Sequence, residues 1–128
     1  MPEDFLDFIW EKESSRGKNP NKMATGGDYQ VKKIAYEDAK RFDDKVKKWT
    51  YEEVISDPVK GRYVADILFN KVYPVYIKTY NLPDTQETKI AMWNWGVGNV
   101  KGVEGDLTKA PPITQKYIKD YRKTLLTK

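Results

Sequence analysis

Ala35, Ala39, Phe42, Val46 and Trp49 recur at steps of four, three, four and three residues. That is the period of one buried helix face, and it cannot be satisfied by the two-residue alternation of a strand. The same period returns along the chain. Phe5, Leu6 and Ile9 fall on one side of a first helix over residues 4–14, with Asp4, Asp7 and Glu11 opposite. The long pattern over 32–49 is the second helix. Asp57-Pro58 suits the start of a third, with Tyr63, Ile67 and Leu68 turned inward and Pro74 ending or kinking it. Asp84-Thr85-Gln86-Glu87 after Pro83 resembles an N-cap with a Glu three residues on, opening a fourth helix through Trp95 that the glycines from Gly96 to Gly105 end. Ile113, Tyr117, Tyr121 and Leu125 supply the face of a last helix. No strand pattern bounded by hairpin signals competes, although a small hairpin over 24–31 is compatible with the rest. At 128 residues, the chain is expected to form one mostly α-helical domain spanning 1–128.

Residue types narrow the chemistry further. Cysteine and histidine are both absent, which removes disulfides, thiol nucleophiles, Cys/His zinc sites and every Ser-His mechanism. No metal or cofactor is called for. Lys and Arg number 23 against 19 Asp and Glu, a net charge of +4. With 39% apolar and 13% aromatic residues the chain is too hydrophobic for a disordered polyelectrolyte. No apolar run approaches the ~18 residues of a membrane span, and Met1-Pro2-Glu3-Asp4 lacks the order of a signal peptide.

Three features could carry chemistry. Glu13 lies four residues after Ile9 and eight after Phe5, so on a helix its carboxylate belongs to the apolar stripe. A carboxyl group there has its charged form disfavoured, as a general acid near neutral pH requires. Pairing with Lys12, Arg16 or Lys18 at a frayed helix end is the plain structural alternative. In Gly26-Gly27-Asp28-Tyr29-Gln30 the glycines allow backbone to approach a ligand, and Gln30 offers an acceptor and two donors suited to acetamido and hydroxyl groups. A simple turn would use the same residues. Ala91-Met92-Trp93-Asn94-Trp95-Gly96-Val97-Gly98-Asn99-Val100 gathers indole faces, an amide and a flexible turn. It is no dinucleotide fingerprint, since Lys101 stands where the third glycine is due and a helix precedes the run.

In order, these features resemble the soluble lytic transglycosylase family of the lysozyme-like superfamily. Its domains carry ES at a helix end, then GLMQ, then AYNAGPGNV, then PETxxYV. Here those read Glu13-Ser14, Gly27-Asp28-Tyr29-Gln30, residues 91–100, and Pro112-Ile113-Thr114-Gln115-Lys116-Tyr117-Ile118. The resemblance covers roughly residues 5–125 and implies a lysozyme-like domain, with any small hairpin beside its cleft. It implies that Glu13 is the catalytic acid/base, that Gln30, Trp93 and Asn94 line the glycan cleft with Tyr29 beside them, and that Ser14 and Tyr117 support the site. The departures are Asp28-Tyr29 for Leu-Met, Trp93 for Tyr, Trp95 for Ala and Ile113 for Glu.

The implied reaction cleaves the bond between N-acetylmuramic acid and N-acetylglucosamine in peptidoglycan. Glu13 would protonate the glycosidic oxygen, then take the proton of the muramyl 6-hydroxyl as it closes a 1,6-anhydro ring. Hydrolysis of the same bond would need a second carboxylate, for which Asp28 and Glu37 are the candidates. From another class, a basic nucleic-acid module is suggested by Lys116-Tyr117-Ile118-Lys119-Asp120-Tyr121-Arg122-Lys123, but acidic residues interrupt every basic stretch. A non-catalytic virion component is a third reading. A leaderless wall enzyme fits a phage origin, acting from the virion or as a holin-released endolysin, and as a monomer outside any assembly.

Overall fold

Every regular segment among the described residues is helical. The structure is a computed structural model and describes residues 5–126; Asp4 and the acidic start Met1–Asp4 lie outside the described residues. Two compact units divide the chain, one ending at Val72 and the other beginning at Tyr73.

The first unit holds α1 (Phe5–Ser14), α2 (Lys22–Thr25), α3 (Lys33–Phe42), α4 (Asp44–Lys47), α5 (Tyr51–Ser56), α6 (Pro58–Ile67) and a π-type turn over Leu68–Val72. α6 is its hub: α1, α3 and α5 all pack against it. Ile9, Val31, Ala39, Val46, Val54, Val64 and Leu68 are fully buried, and each Val, Ile or Leu among them contributes roughly 1.5–3 kcal/mol by leaving water.

The pattern of 32–49 does not run as one helix. Asp43 is extended, at φ −146° and ψ 122°, and its side chain accepts from the Val46 backbone N–H to start α4. The same carboxylate accepts from the Tyr63 hydroxyl at 3.0 Å. A short polar residue that caps and also reaches a neighbouring helix outcompetes continuation. Thr50 heads α5 with a reciprocal capping box, its hydroxyl on Glu53 N and the Glu53 carboxylate on Thr50 N. Thr50→Ala is expected to lower stability by about 1 kcal/mol in urea unfolding.

No strand occurs among the described residues, so the small hairpin over 24–31 is not formed. Residues 22–25 make a helical turn, and Gly26, Gly27 and Gln30 all take positive φ. The chain there coils back on itself, with Val31 N on Gly26 O at 3.0 Å, instead of extending to pair.

α7 (Tyr73–Thr79), α8 (Gln86–Asn94), α9 (Val97–Gly102), a 3₁₀ turn (Leu107–Lys109) and α10 (Pro112–Leu126) form the second unit. Pro74 stands in the first turn of α7, where its missing N–H is tolerated. α8 packs on both α9 and α10. Its cap is Thr85, which accepts from Thr88 N, one residue past the expected Asp84. The buried face of α10 also differs from expectation. Thr114, Tyr117 and Ile118 are buried while Ile113 is 70% exposed. Thr114, Tyr117 and Ile118 lie at helical spacing on that face, and the Thr114 hydroxyl donates to Asn94 Oδ1 at 2.7 Å there.

Candidate functional site

Glu13 is the penultimate residue of α1, half-buried, four positions after fully buried Ile9. The chain turns hard behind it. Ser15, Arg16 and Gly17 have φ of 53°, 57° and 83°, three consecutive left-handed residues. Buried Ser14 ties this turn: its Oγ accepts from Gly17 N at 2.8 Å, and its carbonyl accepts from Asn19 N at 3.0 Å. Each non-glycine left-handed residue costs about 1–2 kcal/mol, so the turn persists only because its surroundings fix it.

Those surroundings are the Gly26-Gly27-Asp28-Tyr29-Gln30 segment. Buried Asp28 accepts from Lys22 Nζ at 2.6 Å on one oxygen and from the Trp10 indole N–H at 3.0 Å on the other. Gly17 lies against the same carboxylate so closely that an added Cβ would stand 2.6 Å from its Oδ2. Trp10 also stacks on Tyr29, ring centroids 6.4 Å apart. The Tyr29 hydroxyl accepts from Arg62 Nη1 at 3.0 Å, and Arg62 donates to Asp7 at 2.7 Å. Gln30, itself at φ 50°, donates from its amide nitrogen to the carbonyls of Lys22 and Gly27 at 3.0 and 2.6 Å. The turn after Glu13 and the glycine-rich segment therefore form one interlocked wall. Within it Asp28 joins the side chains of Lys22 and Trp10, and Gln30 ties the backbone of its own loop. Glu37 stands elsewhere on the first unit, exposed on α3 and 3.9 Å from Lys40.

The second unit carries Trp93, Asn94 and Tyr117. Trp93 is 7% exposed and Tyr117 5%, which leaves little of either ring for a sugar to stack on. The Asn94 side chain accepts from Thr114, one turn before Tyr117, so α8 and α10 are pinned at this amide. Trp10, Lys22 and Thr114 complete these networks without having stood out in the sequence. Thr114 could have been found, as it keeps the Thr of the PET motif; nothing at Lys22 marks its partner six residues away.

Burial pushes the phenols of Tyr29, Tyr51 and Tyr121 above their ordinary range, with Arg62 opposing the rise at Tyr29. Arg62 is itself desolvated, yet its hydrogen bonds to Asp7 and Tyr29 hold it more firmly protonated. Glu53 is lowered by Lys60 and then by the Thr50 backbone, and Asp106 by Thr108. A raised phenol contributes stability that is present below its unfolded value of 10.0 and lost as pH climbs through the folded one. The two carboxylates contribute above their unfolded values of 4.5 and 3.8, and that is lost as pH falls through the lowered ones. With no histidine, thermal melts are expected to be flat from about pH 5 to 9 and to fall on both sides.

Among the described residues no group of three or more carboxylates is placed to hold a metal ion, and no helix is long and apolar enough to cross a membrane. No family model, curated protein or solved structure matches the chain.

Proposed function

We propose that this protein cleaves peptidoglycan glycan strands as a lytic transglycosylase, with Glu13 as the single acid and base. One observation carries the reading. Of the five non-glycine residues with positive φ among the described residues, Ser15, Arg16 and Gln30 belong to the wall that begins directly behind Glu13, and stored backbone strain concentrates at working sites. A half-buried carboxyl directly before such a wall is partly shielded from water, which suits proton transfer to a leaving oxygen.

Protonated Glu13 gives its proton to the oxygen between N-acetylmuramic acid and N-acetylglucosamine as positive charge develops on the muramyl ring. The sugar's own acetamido oxygen holds that charge. Glu13, now a carboxylate, removes the proton of the 6-hydroxyl, whose oxygen attacks the anomeric carbon and closes the anhydro ring. A second carboxylate has no part in this scheme. That agrees with Asp28, whose two oxygens are engaged by Lys22 and Trp10, and with Glu37, exposed beside Lys40. Hydrolysis, which needs such a group, is the weaker reading. Binding to nucleic acid draws no support from α10, where Lys116 pairs with Asp120 and Arg122 with Glu87.

Incubation with purified peptidoglycan tests the proposal. Soluble muropeptides are the expected result; binding without release would leave a wall-binding protein and end the enzymatic reading.

A further inference from the structure

The net charge of +4 has one origin along the chain. Residues 1–72 hold fourteen cationic and fourteen anionic side chains, and residues 73–111 hold four of each. The excess comes entirely from residues 112–128, which contain Lys116, Lys119, Arg122, Lys123 and Lys128 and, as their only acid, Asp120.

α10 gathers this charge on one side. Lys116, Lys119, Lys123 and Leu126 recur at steps of three, four and three, the spacing of a single helix face, and all four are exposed. Thr114, Tyr117 and Ile118 form the buried face. Lys116 pairs with Asp120 at 2.9 Å and Arg122 with Glu87 at 3.4 Å, whereas Lys119 and Lys123 pair with no carboxylate among the described residues. Leu126, on the lysine face, is 84% exposed. We infer that this face docks on an anionic phospholipid bilayer, with the lysines at headgroup phosphates and Leu126 at the acyl boundary. Nothing in the inference depends on Glu13.

Leu126 selects the bilayer over other polyanions. An isobutyl group among ammoniums gains nothing from a polyphosphate or a nucleic acid, but it leaves water when the helix lies on lipid. A single-stranded nucleic acid would also need exposed rings to stack its bases, and α10 offers none, since Tyr117 is buried and Tyr121, four residues on, is half-buried. Arg122, whose fork could grip one phosphate, is engaged by Glu87. The lysines that remain are point charges suited to a diffuse anionic surface. Because the helix's apolar face is buried within the second unit, the attraction is mainly electrostatic and therefore sensitive to salt.

Flotation of the full chain with vesicles of equal phosphatidylglycerol and phosphatidylcholine, against phosphatidylcholine alone, is the test. Binding to the anionic vesicles only, present at about 0.05 M salt and lost by about 0.5 M, is expected. Each lysine near such a surface contributes about fivefold, so Lys119→Gln combined with Lys123→Gln should weaken binding about 30-fold. Lys33→Gln combined with Lys48→Gln removes the same charge from exposed positions of the first unit and should stay within about twofold of wild type. Leu126→Gln should weaken vesicle binding about five- to tenfold. All these positions are exposed, and each variant should keep the wild-type circular dichroism spectrum. No binding to anionic vesicles, equal binding to neutral ones, equal weakening by the two lysine pairs, an unchanged affinity in Leu126→Gln, or tighter binding to duplex DNA than to vesicles would each overturn the assignment.

Discussion

Glu13→Gln is expected to cut release of soluble muropeptides by about 10²–10⁴-fold, toward the upper end because one group serves as both acid and base. Glutamine keeps the shape of the side chain and removes the proton. Glu13 is the penultimate residue of α1, outside the fully buried core, so the variant should retain the wild-type circular dichroism spectrum and unfolding midpoint. Loss of activity together with loss of fold would not support a proton-transfer role. Activity within a few-fold of wild type would remove Glu13 from the mechanism.

Gly27→Ala is expected to be the most destabilising small substitution in the first unit. Gly27 has φ 80°, and a Cβ there would collide with the Ile55 carbonyl oxygen and stand 2.9 Å from its carbonyl carbon. Left-handed strain of about 1–2 kcal/mol adds to about 1–3 kcal/mol for forcing backbone apart. The sum, about 2–5 kcal/mol, is a large part of the 5–15 kcal/mol typical of a folded domain. Gly98 in α9 is the natural control, because nothing lies within 4 Å of a Cβ added there. Gly98→Ala should stabilise by about 0.5–1 kcal/mol, as in any open helical position. Urea unfolding of the two variants should thus shift in opposite directions, and an unshifted midpoint for Gly27→Ala would mean that the wall yields cheaply.

The helical class and the start of α6 were legible because they rest on local signals, the 3.6-residue period and Asp57-Pro58 as cap and first turn. The break at Asp43 was not. Its cause is a cap that doubles as a partner for Tyr63, 20 residues away. α5 carried a readable signal in Thr50-Tyr51-Glu52-Glu53, masked by the longer apolar pattern before it. On α10 periodicity favoured Ile113 and Leu125, but Thr114, Tyr117 and Ile118 share an equally regular spacing, and that face is the buried one, with Thr114 bonded to Asn94.

At the candidate site, sequence position alone put Glu13 at the end of a helix beside buried Ile9, and the structure has it there, half-buried. What the glycine-rich segment does was hidden. Asp28 stood as a candidate second carboxylate, yet its partners Lys22 and Trp10 lie six and 18 residues away, and no spacing rule joins them. Gln30 read as a sugar-facing amide, while its nitrogen is turned onto the backbone of its own loop. Left-handed Ser15 and Arg16 have no signature in residue type, because neither belongs to the residues that favour that conformation.

Digestion of peptidoglycan in heavy-oxygen water, with the fragments weighed, tests the central claim most directly. If Glu13 alone moves the proton and the muramyl 6-hydroxyl attacks, the new ends are anhydro sugars carrying no solvent oxygen. Fragments whose new ends are reducing and carry the heavy oxygen would show that water attacks instead, and would contradict the account given for Glu13.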